Sequence, residues 1–127
     1  MSEAVLDASA VLAVLGGELG ADLVVPLLGG ALMSAVNYAE VASKLMNSGA
    51  GRSEARDAIL GLGIEVSDFD LALAERTGEL RPLTRHRGLS LGDRACLALA
   101  EREGAPAVTA DRNWRDILPG IEIRVVR

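Results

Sequence analysis

Four short runs of small and β-branched apolar residues punctuate this chain: Ala4-Val5-Leu6, Ala31-Leu32-Met33-Ser34, Ile64-Glu65-Val66-Ser67 and Ala107-Val108-Thr109-Ala110. Runs this short and this apolar read as strands buried on both faces, the kind a helix-covered parallel sheet requires. The spacing places strands at about 3–7, 31–34, 64–67 and 107–110, and a last one in "IEIRVV". Helices fall between them at about 9–16, 18–28, 36–47, 53–60, 69–80 and 90–103, with a short one near 112–118. Gly16-Gly17, Gly29-Gly30 and Gly104 act as stops, and Ser53 reads as an N-cap. In the last strand Ile121, Ile123 and Val125 alternate with Glu122 and Arg124, which marks a half-exposed strand at a sheet edge. Strands alternating with helices predict one α/β domain over residues 1–127, with four to five parallel strands flanked by helices on both faces.

Composition narrows the function classes. The chain has one Phe, one Trp and one Tyr, so its core is aliphatic and it has few rings on which bases could stack. A net charge of −5 gives no general attraction for nucleic acid, so any such contact needs a local basic patch or a metal ion. The single cysteine, Cys96 in "RACLALA", reads as a small core residue and suits a reducing cytoplasm. Met1-Ser2-Glu3 lacks the basic stretch and apolar run of a signal peptide. The long uncharged stretch "LVVPLLGGALMSAV" is cut by Pro26 and Gly29-Gly30, so no membrane segment is expected.

Two of the strand runs stop on a carboxylate. Asp7 follows Ala4-Val5-Leu6, and Asp111 follows Ala107 to Ala110. In open parallel sheets, ligands bind beyond the carboxyl ends of the strands, where strand order reverses. Glu40 in "NYAEVASKL" and Asp93 in "LSLGDRACLALA" sit one turn into helices that are otherwise apolar or small. Each has an ordinary explanation. Asp7 and Asp111 could cap the following helices, Asp93 could form a capping box with Ser90, and Glu40 could pair with Lys44. The functional reading is that the four acids converge on a divalent cation such as Mg²⁺ or Mn²⁺, which prefers oxygen ligands. One His and one Cys, far apart in sequence, leave no zinc set. Around "TADRNWRD", Thr109, Asn113 and Asp116 could support such a site or simply serve turns and caps.

The ordered segments "VLDASAVLAVL", "NYAEVASKL", "LSLGDRACLALA" and "AVTADRNW" together resemble a PIN-domain ribonuclease of the VapC toxin type. The resemblance implies a PIN-like, Rossmann-like sheet, a homodimer, Mg²⁺- or Mn²⁺-dependent RNA cleavage, and a cognate antitoxin that blocks the site. It transfers the acidic roles to Asp7, Glu40, Asp93 and Asp111, with Ser9 and Thr109 as neighbouring hydroxyls. Arg94 departs from the small residue that usually follows the helix aspartate in such proteins, and it could contact phosphate or neutralise an acid.

On this reading Asp7, Asp93 and Asp111 hold the ion, while Glu40 binds it through water or accepts the nucleophile's proton. Positive charge for the RNA backbone would come from Arg81, Arg85, His86 and Arg87 in "LRPLTRHRG", and from Arg52, Arg56, Arg112 and Arg115. Any one arginine could equally be an ordinary solvated surface residue. The apolar helical stretches 11–28 and 36–60 are the expected antitoxin surface. Competing readings are a metal-dependent phosphatase, a receiver-like phospho-accepting domain and a catalytically silent interaction module. The receiver needs a lysine late in the sheet, whereas the only lysine is the mid-chain Lys44.

Overall fold

Residues 4–127 are described by a computed structural model. Met1-Ser2-Glu3, read above as leaderless and as the start of a strand, lie outside the described residues. The chain runs through β1 (Ala4–Leu6), α1 (Ala8–Gly16), α2 (Ala21–Val24), β2 (Ala31–Ser34), α3 (Ala35–Asn47), α4 (Arg52–Leu60) and β3 (Glu65–Ser67). It continues with α5 (Leu71–Thr84), α6 (Leu91–Glu103), β4 (Ala107–Thr109) and β5 (Ile123–Val125). All five strands are parallel, in the order β3-β2-β1-β4-β5, and β1 aligns Val5 with Ala107 and Leu6 with Val108. The expected α/β sheet is therefore present, with β5 at its edge.

Alternation along the strands divides the interior in two. Ala4, Leu6, Met33 and Val108 pack with residues of α1 to α4. Val5, Leu32 and Ala107 point the other way and pack with Leu73, Leu80, Leu97 and Leu99 of α5 and α6. Fully burying a side chain such as Leu6 or Leu97 stabilises by roughly 1.5–3 kcal/mol, so the two aliphatic layers clamp the sheet without aromatic bulk. Trp114, the one tryptophan, is buried in the second layer.

Several boundaries differ from the sequence reading. The helix expected over 18–28 is a single turn at Ala21–Val24 followed by a 3₁₀ segment, Val25–Gly30, with Pro26 at its start. Gly20 explains the late start: its φ is +97°, and a Cβ there would collide with the Val126 carbonyl. α4 is capped at Gly51, whose N–H donates to Glu54 Oε1 at 3.0 Å, and Ser53 is already inside the helix. α5 begins after the Asp70 cap and runs through Pro82 to Thr84, whose hydroxyl donates to the Leu80 carbonyl at 2.8 Å. The expected helix at 112–118 is only a 3₁₀ turn, Arg112–Trp114, before Asp116 takes a positive φ of 54°. Among the described residues no single helix is long and apolar enough to cross a membrane.

Candidate active site

The chain steps from β1 outward to β2 and β3, then crosses back to lay β4 on the free side of β1. Strand order thus reverses between β1 and β4, and the crevice outside their carboxyl ends is where such sheets take ligands. Asp7 stands directly after β1 and Thr109 ends β4, so the topology alone brings together residues from opposite ends of the sequence.

Asp7 is 3% exposed. Its Oδ1 accepts from the Ala10 N–H at 2.9 Å, which caps α1, and from Ser9 Oγ at 2.8 Å. Its Oδ2 accepts from Thr109 Oγ1 at 2.7 Å. Ser9 Oγ in turn accepts from the Ala110 N–H at 2.9 Å, and Thr109 Oγ1 accepts from the Asp111 N–H at 3.0 Å, so the hydroxyls pin the β4 end to the β1 end. Burial pushes the Asp7 carboxyl from its ordinary 3.8 up to about 6. The Thr109, Ala10 and Ser9 donors pull the other way, and the Asp93 charge adds to the rise. Among the described residues no ion pair involves Asp7.

Asp93 reaches the same neighbourhood from the first turn of α6. Its carboxylate accepts from the Ser90 N–H at 2.9 Å while Ser90 Oγ accepts from the Asp93 N–H at 3.2 Å, a complete capping box. Glu40 arrives from α3, where its Oε1 accepts from Asn37 Nδ2 at 2.8 Å, and no Glu40–Lys44 ion pair forms. One turn along α6, the buried Cys96 thiol reports the convergence. Its pKa is raised by burial first, then by the charges of Asp7, Asp93 and Glu40. Asp111 stays on the rim, exposed, with Oδ1 accepting from the Asn113 N–H at 2.9 Å. It shares a cavity of about 370 Å³ with Ser9, Arg112 and Arg127. The capping explanations for Asp7, Asp93 and Asp111 are thus all correct.

Other sequence candidates have different employment. Asn113 Nδ2 donates to the Arg87 carbonyl at 2.6 Å, and Asp116 lines a separate cavity against β5 with Leu118 and Ile123. Arg87 Nη1 donates to the carbonyls of Asn113 at 2.7 Å and Arg115 at 2.9 Å, so it ties two loops together. Arg94 reaches neither phosphate-facing space nor an acid; it donates to the Thr77 carbonyl of α5 at 2.9 Å. Arg52 and Arg56 flank a groove with Tyr38, Met46, Leu60 and Val66. Arg81, Arg85, His86, Arg112 and Arg115 are exposed. Sequence reasoning missed Asn37 and Gly92. The i, i+3 spacing of Asn37 and Glu40 was the available signal for the first, and nothing local marked the second.

Asp7, Asp93 and Glu40 offer oxygen donors only, the chemistry that a hard divalent cation prefers. Among the described residues no three His, Cys, Asp or Glu side chains are gathered closely enough to hold a metal ion by themselves. The family model described as "PIN domain" matches residues 4–117. No curated protein matches the chain. Among solved structures, DNA-bound VapBC from Salmonella typhimurium aligns over 100% of both chains at 22% identity and a TM-score of 0.78. VapBC2 from Rickettsia felis, bound to a promoter DNA fragment, aligns over 98% of both at 18% identity and 0.75. Mycobacterium tuberculosis VapC20, a sarcin-ricin loop cleaving toxin, covers 91% of this chain and 92% of its own at 19% identity and 0.72.

Proposed function

The chain belongs to the PIN-domain family, and on that footing we propose that it is a metal-dependent endoribonuclease, the toxin of a toxin–antitoxin pair, hydrolysing RNA phosphodiester bonds. The whole chain serves as one nuclease domain working in the cytoplasm as a homodimer. The observation that supports the reading most is the buried Asp7 carboxylate at the reversal of strand order, without an ion-pair partner and with the Asp93 charge adding to the rise in its pKa.

Asp7 and Asp93 would hold the ion, Mg²⁺ or Mn²⁺, with Glu40 acting through water and Asp111 reaching it from the rim. Such an ion, when bound, lowers the pKa of a water and offsets charge on the phosphate oxygens. The protein's own part is orientation. Ser9, Thr109 and the Ala10 N–H fix both oxygens of Asp7, and the Ser90 capping box fixes Asp93. Glu40, exposed at its outer side, is free to accept the proton of the attacking water. Arg81, Arg85 and Arg112 supply backbone contacts for RNA, while Arg87 serves by shaping the loop that carries Arg85.

Antitoxin binding is supported by apolar surface in the expected region. Leu19, Leu23 and Val25 are 71%, 57% and 52% exposed within the first expected stretch, and the Tyr38–Met46–Leu60 groove falls in the second, 36–60. The nuclease reading is tested with purified protein, structured RNAs, and Mn²⁺ or EDTA. Cleavage by the parent in Mn²⁺, lost in EDTA and in Asp7→Asn and Asp93→Asn, is the expected result. Cutting that survives EDTA or either substitution removes the assignment.

A further inference from the structure

Asn37 is 1% exposed, polar, and wedged where α3 meets α6. Its Nδ2 donates twice, to Glu40 Oε1 at 2.8 Å on its own helix and to the Gly92 carbonyl at 3.0 Å on the other. Gly92 is buried beside Asp93, and a Cβ placed on it would overlap the Glu40 carboxylate. The two helices therefore approach through a point where one residue has no side chain and a single amide binds both partners. The other end of that amide, Oδ1, is buried without a hydrogen-bond partner.

We propose that Asn37 and Gly92 are positioning residues that set the separation of the Glu40 and Asp93 carboxylates, Gly92 by yielding space and Asn37 by strapping α3 to the first turn of α6. Glu40 is a long side chain with several rotatable bonds, and on an exposed helix face it would sample many rotamers. Bound to Asn37 and seated against the Gly92 backbone, it is confined to one side of the α6 N-terminus, next to Asp93. The strap stands on this contact geometry alone; its effect on a bound ion rests on the nuclease reading above.

Three variants test it: Asn37→Leu, which keeps the branched shape and heavy-atom count of the side chain and removes both donors; Gly92→Ala, which displaces Glu40 sterically; and Glu40→Ala. The first readout is a double-mutant cycle across the two helices, Asn37→Leu with Gly92→Ala, in chemical denaturation without metal or RNA, with the Asn37→Leu and Glu40→Ala cycle along α3 as its companion. Coupling, seen as a denaturation midpoint of the double variant higher than the two single losses predict, is expected; strict additivity overturns the strap. The second is Mn²⁺ affinity by electron paramagnetic resonance titration, with single-turnover cleavage alongside. Asn37→Leu and Gly92→Ala should each bind Mn²⁺ about 10- to 100-fold more weakly, as loss of groups that orient ligands typically does. Their kcat should fall while KM for RNA holds. Folded variants with parental Mn²⁺ affinity and kcat overturn the positioning role. A parent that neither binds Mn²⁺ nor cuts RNA sinks the nuclease reading, and the denaturation cycle then still decides the strap.

Discussion

Asp7 is a carboxylate that the fold holds more stably as the neutral acid. Folding raises its pKa from 3.8 to about 6, so between those values the native chain binds this proton more tightly than the unfolded chain does. The stability linked to that proton is present at low pH and lost as pH rises from about 4 through 6. At neutral pH the ionised group therefore weakens the metal-free protein. Asp7→Asn is expected to raise Tm at pH 7.5 in chelator, with the gain shrinking toward pH 5. The ceiling is roughly 3 kcal/mol. The real gain is smaller because the amide keeps only one acceptor oxygen, so either the Ser9 and Ala10 donors or the Thr109 donor lose their partner. Added Mn²⁺ should raise Tm of the parent and leave the variant unmoved. A variant less stable than the parent at pH 7.5 would mean that the three donors outweigh burial.

At the scale of elements, the N-terminus of α6 combines two duties in one side chain. Asp93 closes a capping box and contributes a charge to the cluster. Asp93→Asn retains an oxygen for the Ser90 N–H, so Tm should stay within a degree or two while cleavage is lost. Asp93→Ala should lose cleavage and also about 1 kcal/mol of stability. Equal Tm values for the two variants would show that the box contributes nothing. Capping is local, and this is why it was legible: "LSLGD" announces its own helix start, and "ALMS" its own strand, β2. The helix expected at 18–28 failed for the opposite reason, since Gly20 answers to the Val126 carbonyl at the far end of the chain. The site divides the same way. Asp7, Asp93 and Asp111 could be found because each ends or opens an element. The Asn37–Gly92 contact could not, because it exists only once α3 and α6 are packed, and the loop roles of Arg87 and Asn113 likewise depend on each other.

Over the whole molecule, a net charge of −5 gives no general attraction for RNA, so the proposed substrate would have to be met by local cations. The Arg85 side chain is exposed and makes no hydrogen bond among the described residues, whereas that of Arg87 holds two carbonyls. Arg85→Glu should leave Tm unchanged and lower the slope of log binding constant against log salt by about 1. Arg87→Glu should lower Tm as well, and an Arg85→Glu variant with the parental salt slope would take Arg85 out of the RNA path. The sheet order carries a consequence for synthesis too. Thr109, which orients Asp7, sits 102 residues downstream of it. On the ribosome, then, Asp7 emerges early with only its local Ser9 and Ala10 donors, and the Thr109 donor follows 102 residues later. A chain that stopped before β4 would lack both the Thr109 hydroxyl on Asp7 and the two strands on that side of β1.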